Sequence, residues 1–331
     1  MAKKILIFRT DRVGDLIVSC PPILTIKEYF NQCNITLIAS NKNSYYAKNL
    51  NLFNRILIFP ETNIFKKLKF ILDLRKEKFD YIFIFDGKEK SFLSAFFLNS
   101  YIKVGISTKI KKYFNLLNIK IFKFDNNKMY EVFQKTLNYS NINKQINNYD
   151  FISKKKNNNF ISKIPINNFL QIHLDEKWFS NFYINNYTNI CPSYNDFILF
   201  LKKASKYNNI LITTGLIDLP ILIDLKNKFL TKLENNIYLN NKLNNLIYLI
   251  DKPTYFDIES IMSKTKLLII CHGSLTHVAN SFNIRIVDII EESKRKFYFN
   301  YTYYINNYSF LYRSQFNVLQ KFLLDTIEEE K

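Results

Sequence analysis

The sequence predicts an α/β protein built from two tandem doubly wound parallel-sheet domains. Short apolar runs ending in polar turns recur along the chain, beginning with Lys4-Ile5-Leu6-Ile7-Phe8, and continuous runs of this kind mark strands buried on both faces. Helical patterns separate them, the alternation that βαβ units produce. A length of 331 residues suits two domains, each large enough to bury its own core.

In chain order, the strand Lys4–Phe8 leads into a helix over Asp15–Phe30 and a second strand, Ile35–Ala39. The pattern repeats with a strand at Arg55–Phe59, an amphipathic helix at Phe65–Lys78, a strand at Tyr81–Phe85 and a helix at Ser91–Leu98. Over 140–168 the periodicity fades into Asn- and Lys-rich sequence, which reads as a linker and puts the domains at 1–160 and 161–331. Alternation then resumes with strands at Phe169–His173, Asn209–Thr213, Leu246–Ile250, Leu267–Ile270 and Ile284–Ile289. Helices are expected at Tyr194–Ser205, Leu219–Phe229, Phe256–Ser263 and Ser274–Phe282. Phe316, Leu319, Phe322, Leu323 and Ile327 give a final helix, expected to pack back on the first domain. Ligands of such sheets lie beyond the carboxyl ends of the strands, here in the cleft expected between the domains.

Charge is unevenly spread. Of 47 Lys+Arg and 28 Asp+Glu, residues 1–165 hold 29 and 12, a balance of +17, and the remainder 18 and 16, a balance of +2. One basic domain beside a near-neutral one points to an anionic partner: nucleic acid, acidic lipid or a phosphorylated substrate. No helix-turn-helix, RNP or zinc-finger signature accompanies the basic residues, and most aromatic residues fall inside apolar strand and helix patterns, so nucleic acid is disfavoured. Cys20, Cys33, Cys191 and Cys271 are too scattered for a disulfide framework or a zinc site. Arg9 and Asp11 break the first apolar run too early for a signal peptide, and no apolar stretch reaches membrane-spanning length. A cytoplasmic protein is expected, one whose basic face can rest on an anionic membrane surface.

Three segments carry candidate chemistry. In Arg9-Thr10-Asp11-Arg12-Val13-Gly14-Asp15, after the first strand, Asp15 stands at a helix start, as a cap or as a carboxylate facing the ligand. Neither GxGxxG nor a Walker lysine is present. In Cys271-His272-Gly273-Ser274-Leu275-Thr276-His277, a strand runs through a glycine turn into a helix whose first N–H groups suit a diphosphate. The i, i+5 spacing of His272 and His277 is poor for holding a metal on one helix face, and a structural role for either stays open. Lys177, in the loop after Phe169–His173 and beside Trp178, is either a solvated lysine or a cation that neutralises a departing phosphate.

The order and spacing of these segments resemble glycosyltransferase family 9, the lipopolysaccharide heptosyltransferases. That family opens with a strand, a basic residue, four positions, Gly-Asp and a proline-containing helix, matched here by Arg9, Gly14-Asp15 and Pro21-Pro22. Its Lys-Trp-Pro resembles Lys177-Trp178, with Phe179 in place of the proline. Its donor loop resembles His272 to Ala279, and its helix and strand ending in Tyr-Asp resemble Phe65–Gly87. The resemblance spans nearly the whole chain. It implies a GT-B fold, the acceptor on the basic N-terminal domain and a nucleotide-sugar donor on the C-terminal one. It further implies inverting, metal-independent transfer from ADP-heptose to a lipid A- or core-like anionic glycolipid, with no other cofactor. Asp15 falls on the catalytic base and Lys177 on the donor-phosphate lysine. Ser274, Leu275 and Thr276 fall on the diphosphate-binding helix start and His277 on its histidine, with Gly273 before them as a further donor-binding residue. Lys252-Pro253 fall near the nucleobase and Asp218 near the ribose, while Arg9 and Arg12 are expected to meet the acceptor's anionic groups. One position departs from the family: its sugar-contacting donor-loop aspartate is His272 here, and an imidazole cannot reproduce a carboxylate's acceptor-only hydrogen bonding. That change leaves the donor sugar open, and with it a glycan-binding relative without catalysis.

Overall fold

The computed structural model describes residues 2–109, 118–124, 127–149, 151–152 and 158–329. It divides into two compact units, Met1–Lys154 with Phe299–Tyr303, and Lys155–Tyr298 with Tyr304–Lys331.

The first unit holds β1 (Lys3–Phe8), β2 (Cys33–Ala39), β3 (Arg55–Ile58), β4 (Lys78–Ile84), β5 (Asn99–Ser107) and β6 (Lys120–Lys123). They form one parallel sheet in the order β3-β2-β1-β4-β5-β6. Ile5 and Ile7 of β1 stand beside Ile35 and Leu37 of β2 and beside Tyr81 and Phe83 of β4, so the apolar runs stack in register. The helices are α1 (Val13–Tyr29), α2 (Ser44–Ala47), α3 (Ile64–Arg75), α4 (Glu89–Phe96) and α5 (Met129–Tyr139). The strand order reverses between β1 and β4, and a reversal of this kind opens a crevice at the carboxyl ends of those two strands.

The second unit has eight strands: β7 (Phe169–Leu174), β8 (Ile210–Thr214), β9 (Thr231–Glu234), β10 (Ile237–Asn240), β11 (Ile247–Ile250), β12 (Thr265–Cys271), β13 (Arg285–Ile290) and β14 (Tyr308–Tyr312). Their order is β14-β13-β12-β7-β8-β11-β10-β9, parallel except for the antiparallel ribbon β9–β10–β11. The helices are α6 (Asn158–Ile161), α7 (Tyr194–Ala204), α8 (Pro220–Asp224), α9 (Tyr255–Met262), α10 (Ser274–Asn280), α11 (Arg295–Thr302), whose second half from Phe299 groups with the first unit, and α12 (Phe316–Glu328). Here the reversal lies between β7 and β12.

Several expectations are corrected. The final helix is part of the second unit's own core: Phe316, Leu319, Leu323 and Ile327 join Trp178, Phe197 and Phe200, the Phe316 ring 5.6 Å from that of Phe200. The stretch expected as one helix over Leu219–Phe229 is α8 followed by a wider π-helical turn, Leu225–Phe229. Part of the expected linker is core, since Phe160, Ile164 and Ile166 pack on Phe169, Leu211 and Ile250. The strands β5, β6, β9, β10 and β14 and the helices α2, α5, α6 and α11 have no counterpart in the sequence reading. Among the described residues no helix is long and apolar enough to cross a membrane.

Candidate functional site

Each unit gathers its candidate residues at its own reversal point. In the first, β1 ends in Arg9, which is buried. Its Nε donates to the Asp15 carbonyl at 2.8 Å, Nη1 donates to the Phe85 carbonyl and lies 3.3 Å from the Asp11 carboxylate, and Nη2 is 3.8 Å from Asp15 Oδ1. Arg9 was expected to meet an acceptor; its donors are instead directed at the protein, and it braces the turn that presents Asp15. The Asp15 carboxylate, half exposed on the first turn of α1, accepts from the Arg12 N–H at 3.3 Å. Arg12 caps the helix with its side chain in solvent, available to an anion.

The neighbouring turn after β4 completes the site. Asp86 accepts from the Thr10 hydroxyl at 2.7 Å and the Ser91 hydroxyl at 2.6 Å. Gly87 has φ +63°, and a Cβ there would stand 3.2 Å from the Ile106 carbonyl oxygen, so the turn demands glycine. Lys88 reaches back to the Thr10 carbonyl at 2.8 Å and pairs with Asp11. Burial raises the Asp11 carboxyl above its ordinary pKa despite the pull of Arg9 and Lys88. A cavity of about 230 Å³ is lined by Arg9, Asp11, Asp15 and Asp86 together with the aromatic rings of Phe124, Phe133 and Tyr301. Burial pushes the Tyr301 hydroxyl up to about 12, so it stays protonated at neutral pH. The cavity therefore offers one exposed carboxylate beside an aromatic wall, an arrangement able to take a proton from a bound hydroxyl.

In the second unit, β7 leads into a 3₁₀ turn, Glu176–Trp178, capped by Asp175. Lys177 Nζ lies 2.6 Å from Asp175 Oδ2, and His173 Nε2 lies 3.4 Å from the same oxygen. Burial alone would raise the Asp175 carboxyl, but Lys177 and His173 more than reverse it and hold it well below the usual range. Burial likewise opposes the Lys177 charge, and Asp175 overrides it, so the ammonium stays charged. That ammonium lies against the backbone of the turn before α10: a Cβ on Gly273 would come within 2.8 Å of Lys177 Nζ. A fixed cation thus abuts the start of α10, where the first-turn N–H groups of Ser274 and Leu275 lack intrahelical acceptors. The Ser274 hydroxyl is 2.7 Å from that of Tyr255.

The other expected donor residues divide into two sets. Lys252, in the turn after β11 with φ +50°, pairs with Asp218 after β8 at 2.7 Å, so the two meet at one strand-end rim; Pro253 beside them is buried. Leu275, Thr276 and His277, by contrast, have buried side chains and can offer a ligand backbone only. His277 Nδ1 lies 2.8 Å from the Tyr304 hydroxyl, and burial together with His272 pushes its pKa down to about 3. His272 Nδ1 lies 2.6 Å from Asp288 Oδ2 on the adjacent strand, and the Tyr308 hydroxyl donates to the same oxygen at 3.0 Å. The carboxylate missing from the loop is present one strand away, behind the imidazole.

Sequence reasoning did not give roles to Asp11, Asp86, Lys88, Tyr301, Asp175 or Asp288. Asp86-Gly87-Lys88 had a usable signal, a turn dipeptide directly after an apolar run like the one preceding Arg9. Tyr301 had none, lying in an aromatic-rich stretch with no clear period.

No family model matches the sequence, and no curated protein sequence matches it. Solved structures do. The chain is similar to Escherichia coli ADP-heptose LPS heptosyltransferase II, with TM-score 0.69 and 14% identity over 99% of both chains. It is similar to a glycosyl transferase family 9 protein from Veillonella parvula DSM 2008, with TM-score 0.68 and 12% identity over 99% of this chain and 89% of the other. A UDP-GlcNAc 2-epimerase from Methanocaldococcus jannaschii follows, with TM-score 0.56 and 12% identity over 99% and 92%. The likeness is one of fold, two Rossmann-like units of the GT-B class, and that fold hosts both transfer and epimerisation.

Proposed function

We propose that this chain is an inverting glycosyltransferase, its second unit binding a nucleoside diphosphate sugar and its first unit an anionic glycolipid acceptor. The observation that carries the reading is the Lys177 ammonium, held by Asp175 and seated against Gly273 at the start of α10, a built place for a diphosphate. In the reaction, Asp15 takes the proton of an acceptor hydroxyl as that oxygen attacks the anomeric carbon from the face opposite the diphosphate. The anomeric carbon–oxygen bond breaks, its electron pair leaves on the diphosphate, and Lys177 offsets the growing charge. The positive charge needed at the leaving group comes from the chain, so we expect transfer without a divalent metal.

ADP-heptose is our first choice of donor and a lipopolysaccharide core or related envelope glycan our choice of acceptor, supported by the motif resemblance and by the fold shared with a heptosyltransferase. We place the reaction at the cytoplasmic side of the inner membrane. The pairing of His272 with Asp288 favours a second reading, the same chemistry with another donor sugar, because the group offered in place of the family's carboxylate is an imidazole braced from behind.

Thermal-shift titration with ADP, UDP, GDP and CDP in the presence of EDTA tests this. ADP at 100 times its dissociation constant should add about 2.7 kcal/mol of stability, and Lys177→Ala should weaken ADP binding at least tenfold. Preference for UDP or GDP would move the donor; no response to any of the four would sink the reading.

A further inference from the structure

The helix α3 has two apolar faces, and the fold uses one. Phe70, Ile71 and Leu74 pack on the cluster formed by Phe59, Ile82 and Ile84. Ile64, Phe65, Leu68 and Leu72, at spacings that share a helix face, are exposed, Phe65 by 76%. The helix itself is well made, with the Asn63 side chain accepting from the Phe65 N–H at 2.8 Å, so this exposure is not that of a frayed end. Right-handed crossovers put α3 and α4 on one side of the sheet, and α4, which shares the same core cluster through Phe92 and Ala95, adds exposed Leu93, Phe96 and Phe97.

The charges around these side chains are mostly basic, with Glu61 before α3, Asp73 near its end and Glu89 on α4 as the acidic exceptions. From Thr62 to Leu72 there is no acidic residue, while Lys66, Lys67 and Lys69 interleave the apolar positions and Lys90 follows on α4. An exposed apolar face rimmed by lysines is the signature of an interfacial helix on anionic lipid, where apolar side chains enter the headgroup boundary and lysines meet its negative charge. We propose that α3 and α4 form a docking surface for an anionic lipid bilayer. Both helices begin at the carboxyl edge of the sheet, α4 directly after Gly87-Lys88, so a docked bilayer would lie beside the edge that presents Asp15. This deepens the glycolipid-acceptor reading and rests on it only for its purpose.

The test needs no sugar transfer. The full chain is sedimented with vesicles of phosphatidylglycerol and phosphatidylethanolamine, and with vesicles of phosphatidylcholine. Binding is expected on the anionic vesicles only, weakening as salt rises. Phe65→Ser with Leu68→Ser should lower it at least tenfold, and each of Lys66→Gln, Lys67→Gln and Lys69→Gln by roughly fivefold. Phe322→Ser, on α12 at a position about as exposed as Leu68, should leave it unaltered. Absence of binding to anionic vesicles would overturn the proposal, as would equal losses from Phe322→Ser. A chain that sediments as a dimer and becomes monomeric in the Phe65→Ser, Leu68→Ser variant would overturn it in favour of self-association. Because ADP binding is measured separately, failure here leaves the donor reading standing, and the converse also holds.

Discussion

Asp15 does little on its own. Its position depends on Arg9, whose guanidinium holds the main chain of the Asp15 turn with one nitrogen and faces its carboxylate with another. Replacing the carboxylate while keeping its shape separates catalysis from placement. Asp15→Asn should lower transfer by about 10²–10⁴-fold while leaving ADP affinity unchanged in calorimetry; activity within tenfold of the parent would exclude a general base there. The sequence singled out Asp15 and Lys177 because each follows a buried strand, and the topology of a doubly wound sheet brings strand ends together. The inward direction of Arg9 was not legible there, because only the Phe85 carbonyl, just after β4, reveals that the guanidinium faces the protein. Nor was the pairing of Lys252 with Asp218, which requires knowing that β8 and β11 are neighbours.

Among the elements, α12 shows where pattern reading succeeds and where it stops. Its apolar spacing gave the helix, but nothing in the spacing named the surface it would cover. Aromatic rings from α7 and the turn after β7 supplied that surface, with Phe316 lying 5.7 Å from Phe197 and 6.4 Å from Trp178. If α12 is integral to this core, Leu323→Ala should cost roughly 2–5 kcal/mol, read from urea unfolding of the second unit, whereas an effect below 0.5 kcal/mol would mean the helix is an accessory. Elements missed from the sequence share a cause. β6 and β9 are four-residue edge strands with much of their surface exposed, so no apolar run announces them. The irregular turn Leu225–Phe229 hides behind an unbroken helical period, since a π turn adds a residue without changing composition.

For the molecule as a whole, acid should be the weak side of its stability. Neutral His277 is buried, and its pKa falls from 6.5 to about 3 on folding. Below pH 6.5 the unfolded chain therefore binds a proton that the folded one refuses, and stability is lost as the pH falls through that window. Between pH 7 and pH 5 the loss should be about 2 kcal/mol, followed below pH 4 by a further loss as Asp175, whose carboxyl is depressed by Lys177, is forced to protonate. His277→Gln should flatten the first phase in equilibrium unfolding of the second unit; an unchanged slope would assign it elsewhere. One last feature bears on how the protein is made. Phe299–Tyr303 belong to the first unit, and Tyr301 lines its cavity. During synthesis the six strands around that cavity leave the ribosome well before the aromatic residue that completes it, with most of the second unit made in between. A nascent chain stalled before Phe299 thus carries the Asp15 carboxylate without the Tyr301 ring that lines the same cavity.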